Sequence, residues 1–204
     1  MSQLQHFLPF VLVALLLLLV QQVEGFHRQP PSNLKQRMGL SPTHLLVVSG
    51  LSPEIESDVS KLEEASRSKS VPFEEMESLM SRILEKASKK QTLAAVEGRW
   101  ELIFSTSFGS GYLPVAEIFT TLPSEGIARI DTTWGPLPLG SILGASDWDE
   151  KTSTVTFTFN EIKLGPISIP KQQDPKTYNF FWMNDELALA KSSAGGITLL
   201  KKVK

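Results

Sequence analysis

The sequence predicts a mainly β chain with an α-helical N-terminal prefix, its strands closing into an antiparallel barrel of about eight strands. Three observations carry this. From residue 52, apolar residues recur at helical spacing for about 40 residues. Near Glu97 the period switches to strict alternation. Turn signals then divide the remainder into about eight short alternating runs. Eight antiparallel strands close a barrel whose interior is filled by side chains or holds one small ligand. A two-sheet sandwich is the alternative, but the Cys-Trp-Cys pattern of immunoglobulin domains is missing.

The chain opens on a leader. Residues 7–20 read FLPFVLVALLLLLV and carry no charge. That run is shorter than the roughly 20 apolar residues a membrane-spanning helix needs, and it fits the apolar region of a signal peptide. Val23 and Gly25 suit positions −3 and −1 of a cut between Gly25 and Phe26, giving a signal peptide over 1–25. An uncleaved anchor is the alternative, and the usual basic n-region is missing. Residues 26–51 contain Arg28, Lys35 and Arg37, several Pro and Ser, and no Asp or Glu. This is the composition of a disordered, transit-peptide-like leader. The folded domain is expected over 52–204, with a helical prefix at 52–96 and the barrel at 97–204.

Within the prefix, Ser52-Pro53-Glu54-Ile55-Glu56 reads as an N-cap, a proline in the first turn and acids at the positive end of the helix dipole. Ile55, Val59 and Leu62 keep helical spacing. A second helix starts near Val71-Pro72-Phe73, with Met76, Met80, Ile83, Leu84 and Ala87 on one face. Gly98 to Ser105 forms the first strand, with Trp100, Leu102 and Phe104 expected on one face. The run 152–164 is the clearest strand: Val155, Phe157 and Phe159 face one way, Thr154, Thr156 and Thr158 the other. Further strands are expected at 115–121, 127–133, 141–148, 178–183, 186–191 and 197–202. Trp148-Asp149-Glu150-Lys151 suggests a hairpin and Ser193-Ala194-Gly195-Gly196 a tight turn, while Gly135-Pro136 and Gly165-Pro166 mark longer loops.

Composition removes several function classes. The net charge is −2, and no basic run exceeds two lysines before the last residues, so nucleic-acid binding is not expected. Cysteine is absent, which removes thiol nucleophiles and thiolate metal ligands. The three histidines are His6, His27 and His44, all in the leader, so a His-based triad or metal site is not expected in the domain. No metal, cofactor or catalytic residue is expected.

The loop Ser107-Phe108-Gly109-Ser110-Gly111-Tyr112 lacks the GK[ST] ending of a phosphate loop. Asp147, Asp149 and Glu150 surround a predicted hairpin, where charges are usually solvated. Residues 171–176 form a polar loop. The aromatic set is more informative. Trp100, Phe104, Phe157, Phe159 and Trp182 are candidate lining residues of the barrel, with Phe181 on the face opposite Trp182. Such a lining suits a lipophilic guest if a cavity exists, and a solid core if none does.

Gly98-x-Trp100 at the start of the first strand is shared by lipocalin-type barrels. The longer run from Val96 to Ser107, VEGRWELIFSTS, resembles the L-x-G-x-W-x-L-L-Y-T-[TS] opening of the plastid lipid-associated proteins, or fibrillins. FWMNDELALAK, from Phe181 to Lys191, resembles that family's Y-L-D-[ED]-x-L-R-I-x-R-G strand, and Gly196-Ile197-Thr198-Leu199-Leu200 its closing G-x-x-F-V-L. The matched positions include Gly98, Trp100, Asp185, Leu187 and Gly196. Ala188, Lys191 and Ser192 stand where the family has two arginines and a glycine. The resemblance implies a lipocalin-related barrel in plastids, at thylakoids or lipid droplets, binding isoprenoid or acyl lipids without catalysis. Phe26 after the cut, followed by an acid-free stretch, resembles the signal-plus-transit leaders of algae with secondary plastids. Two other functions remain open: a cofactor-free enzyme isomerising or cyclising a lipophilic substrate with a carboxylate such as Glu101 or Glu161, and a scaffold with a filled barrel.

Overall fold

The computed structural model describes residues 52–107, 111–193 and 195–204. The expected signal peptide, its Gly25–Phe26 junction and the transit-like leader lie outside these residues.

Helix α1 (Pro53–Ser68) starts where its capping residues require. The Ser52 side chain accepts the Ile55 N–H at 3.4 Å, and Glu54 and Glu56 sit in the first turn. It stops at Lys69, whose left-handed backbone (φ 51°) returns an N–H to the Ala65 carbonyl. Helix α2 (Phe73–Lys86) follows Pro72 and ends at Ala87. The two helices bury Ile55, Leu62 and Ala65 against Met76, Leu79, Met80 and Ile83. A bidentate pair fixes them: the Arg82 Nε and Nη2 groups donate to the two Asp58 carboxylate oxygens at 2.9 and 2.7 Å. A short third helix, α3 (Leu93–Val96), leads into the sheet.

Nine strands follow: β1 (Gly98–Ser105), β2 (Ala116–Leu122), β3 (Ile127–Trp134), β4 (Leu137–Asp149), β5 (Thr154–Leu164), β6 (Ile167–Pro170), β7 (Lys176–Met183), β8 (Leu187–Ser192) and β9 (Ile197–Lys202). Every pairing is antiparallel. Pairings β1 with β9 and β4 with β5 close eight strands into a lipocalin-like, up-and-down barrel. Strand β6 stands outside the ring, paired only with β5. The sequence pattern did not reveal it, because four residues ending in Pro170 are too short to show alternation.

The ring has two ends. The lower one holds the start of β1 and the β4–β5, β7–β8 and β2–β3 turns. There the prefix is tied on by the Gln91 N–H to Ser153 Oγ (2.9 Å) and the Lys89 N–H to the Phe181 carbonyl (2.8 Å). The upper one holds the β3–β4, β5–β6 and β8–β9 turns.

Register shifts at four places, one of them at Leu139 between β3 and β4, decide which side chains face inward. On β1 the partners step from Leu102 with Leu200 to Phe104 with Leu199, so Ile103 is the extra residue. On β7 they step from Phe180 with Ala190 to Trp182 with Leu189, so Phe181 is extra. A bulge places one added residue in a strand and reverses the alternation beyond it. Trp100 and Leu102 therefore face the lumen, whereas Ile103 and Phe104 turn outward beneath the helices. Phe180 faces in, while Phe181 and Trp182 both join the helix-facing core with Leu187, Leu189 and Leu199. The expectations that Phe104 shares a face with Trp100, and that Phe181 and Trp182 oppose each other, are corrected by these two bulges. A further bulge, between Leu143 and Gly144 on β4, makes Asn160 the extra residue of β5.

Candidate functional site

Register and alternation trace one continuous inner face around the ring. Trp100 of β1 lies opposite Phe119 of β2, which lies opposite Ile130 of β3, which lies opposite Ile142 of β4. On the other side Leu200, Ala188, Phe180 and Tyr178 continue the face to Val155 and Phe157.

The lower part of the lumen is filled. Trp100 is fully buried; its indole N–H donates to the Val96 carbonyl at 2.8 Å, and the Lys202 ammonium lies 5.1 Å from its ring centroid. Above it, rings from distant strands meet. Phe119 of β2 and Phe157 of β5 stand edge to face with centroids 4.6 Å apart. Tyr178 of β7 closes the group at 5.5 Å from Phe157 and 6.1 Å from Phe119. These three rings form a floor across the barrel.

Above the floor the walls differ. Strands β3, β4 and β5 contribute Ile130, Ile142 and Phe159. Strands β7, β8 and β9 contribute Lys176, Tyr178, Ser192 and Thr198, and β2 adds Glu117 two residues from Phe119. Burial holds the Lys176 ammonium below its usual pKa, against an opposing pull from Asp174. Burial also pushes the Tyr178 phenol up to about 12, helped by the charge of Glu117 and opposed by a hydrogen bond with Thr198. Yet Tyr178 is only half-buried by surface. Ile130, Glu117 and Lys176, on the same inner face, are half-buried as well.

This inner face runs past the rim. Ile162 pairs with both Ile142 and Ile169, and Leu164 with Ile167. Trp134 and Leu137 face each other at the β3–β4 tip. Trp134, Leu137 and Ile167 are 64 %, 61 % and 56 % exposed, and Ile169 is exposed too. The opposite face of these strands is polar: Arg129 pairs with Asp131 at 2.7 Å and Lys163 with Glu161 at 3.7 Å. The two tips thus form an amphipathic flap whose apolar side continues the lumen wall.

Of the expected lining residues, Trp100, Phe157 and Phe159 face the lumen, Trp100 in the filled lower part. Phe104 packs against Phe73 and Tyr112 outside the ring, and Trp182 lies in the same outer core. The motif residues hold turns. Gly98 opens β1 at φ 133°, and a Cβ on Gly196 would come within 1.9 Å of Ser107 Oγ. Asp185 lies in the β7–β8 turn, where the Asn184 side-chain oxygen accepts the Glu186 and Leu187 N–H groups, and Leu187 is buried under the helices.

The candidate carboxylates fall elsewhere than expected. Glu101 points outward to Lys69 at 3.2 Å, and Glu161 is bound on the outer face by Lys163 and Ser168. Asp149 caps its own turn, accepting from the Lys151 N–H and Thr152 hydroxyl, which hold its carboxyl below the usual range. Among the described residues, Glu117 is a carboxylate on the lumen face. Its signal was the two-residue spacing from Phe119.

Comparisons with protein-family models, curated proteins and solved structures return no match for this chain. The fold and site therefore define the class by geometry: a lipocalin-like barrel, closed below, lined on two chemically distinct walls above, and flanked by two helices.

Proposed function

We propose that this protein binds or sequesters a lipophilic small molecule, without catalysis, in the upper part of its barrel. The carrying observation is the inner face itself: half-buried Tyr178 stands on it across from an apolar wall that extends onto the exposed flap. A cavity with apolar walls and a few placed polar groups is the common form of a small-molecule site. The resemblance to plastid lipid-associated proteins supports an isoprenoid, quinone, carotenoid or acyl lipid as guest, and a plastid address reached through the bipartite leader. The flap suits peripheral contact with a thylakoid or lipid-droplet surface.

Protein from Ser52 onward, titrated with a quinone or carotenoid, is expected to show saturable tryptophan quenching. No saturable response to any plastid lipid extract overturns the reading. A fluorescent fusion to residues 1–53 is expected in the plastid, with Phe26→Ala diverting it; secretion of the unmutated fusion overturns the address.

One observation favours a second reading. Glu117 and Tyr178 place an acid and a phenol on one lumen wall, the arrangement a cofactor-free isomerase or cyclase needs. Turnover of a lipophilic substrate abolished by Glu117→Gln is the outcome that selects it. The filled lower barrel agrees with the scaffold reading for that half alone.

A further inference from the structure

Resting on the binding reading above, we infer that the upper barrel selects lipophiles bearing one neutral hydrogen-bonding group, a carbonyl or hydroxyl, and seats that group against Ser192 and the Tyr178–Thr198 pair.

The register brings these residues to one wall. Tyr178 lies opposite Ser192, and Thr198 lies opposite Ala190 on the neighbouring strand pair. Thr198 already has protein partners: it hydrogen-bonds Tyr178 and donates to Ser105 Oγ at 3.3 Å. Ser192 differs. It is 7 % exposed, and its Oγ has no hydrogen-bond partner. Buried hydroxyls are nearly always satisfied, because an unmade hydrogen bond costs about 1–3 kcal/mol. The facing wall is apolar, from Ile130, Ile142 and Phe159, so the space is polar on one side and apolar on the other. That division fits an amphiphile lying with its body on β3–β5 and one polar group on β7–β9.

Charge sets the kind of polar group. Glu117 and Lys176 both face the upper lumen, and their formal charges cancel. An ionised guest of either sign meets a like charge as well as an opposite one, so its desolvation is not repaid. A neutral carbonyl accepts from the Ser192 hydroxyl without either conflict, and an alcohol also donates to the Tyr178 oxygen.

The test is a competition titration of the full chain against a fluorescent lipophile. The competitors are an alkane, a methyl ketone, a primary alcohol and a fatty acid of equal chain length. The ketone and alcohol are expected to bind about tenfold tighter than the alkane, as one to two hydrogen bonds at a buried site allow. Ser192→Ala is expected to shrink that ratio to about threefold for both competitors, and Tyr178→Phe to shrink it for the alcohol. If Ser192→Ala does not fold, Ser192→Gly removes the same oxygen. Equal binding of alkane and ketone, or tightest binding of the fatty acid, overturns the inference while leaving lipophile binding intact. No displacement by any competitor overturns the binding reading itself.

Discussion

Phe119 and Phe157 meet across the lumen with ring centroids 4.6 Å apart and planes at 86°. They come from β2 and β5, strands separated around the ring by β3 and β4. Their contact spans the lumen between opposite walls, on the inner face that continues from Trp100. Both rings are buried, so Phe119→Ala removes a large side chain from a contact between opposite walls. The expected cost is about 3–5 kcal/mol, read as a lower urea midpoint at unchanged m-value. Phe119→Leu is expected to cost less.

Tyr178 makes stability depend on alkaline pH. Its folded-state pKa is raised to about 12, against about 10 in the unfolded chain. A group whose pKa rises on folding contributes stability that is complete below the unfolded value and is lost as pH climbs through the folded one. The window is therefore about pH 10 to 12, and the loss is about 3 kcal/mol. The measurement is the difference between wild type and Tyr178→Phe in unfolding free energy across that range. The gap is expected to be constant below pH 10 and to move steadily in favour of the variant above it.

Gly144 lies at the β4 bulge, and a Cβ there would approach the Thr158 carbonyl oxygen to 2.1 Å and the Phe159 Cα to 2.7 Å. Both neighbours are backbone, so neither rotates away. Gly144→Ala is expected to destabilise by about 3 kcal/mol through forced strand separation, checked by thermal melting.

The Asp58–Arg82 pair holds α1 on α2, with Asp58 buried and Arg82 half-exposed. Asp58→Ala is expected to cost about 1–3 kcal/mol, since it removes two charge-assisted hydrogen bonds. The exposed pairs Lys61–Glu75 and Lys86–Glu54 are expected to matter by less than about 1 kcal/mol each. Urea denaturation of the three single variants separates them.

The flap is expected to be dispensable for folding and required at a lipid surface. Trp134→Glu with Ile167→Glu places two charges on exposed tip positions, where stability changes stay within about 0.5 kcal/mol. Flotation with anionic vesicles is expected to fall for the double variant. Unchanged flotation contradicts a role for the tips.

Much of this architecture was legible in the sequence. Helical spacing through Ile55, Leu62, Met76 and Ile83, and alternation through Val155, Phe157 and Phe159, are direct consequences of burying one face of each element. What stayed hidden were departures from strict period. The bulges at Ile103 and Phe181 reverse the faces of Phe104 and Trp182, and a bulge has no composition of its own. Strand β6 was too short to announce itself. Glu117 has no charged neighbour in sequence, and only the inward parity of Phe119, fixed by the register, places it on the lumen face.

The most direct test of the central claim is a crystal structure with a bromine-labelled lipophile, read as anomalous density. The account predicts a bromine site above the Phe119–Phe157 contact, between Tyr178 and the wall of Ile130, Ile142 and Phe159. Bromine found only on the flap or the outer surface, with the upper lumen empty at saturating ligand, contradicts it.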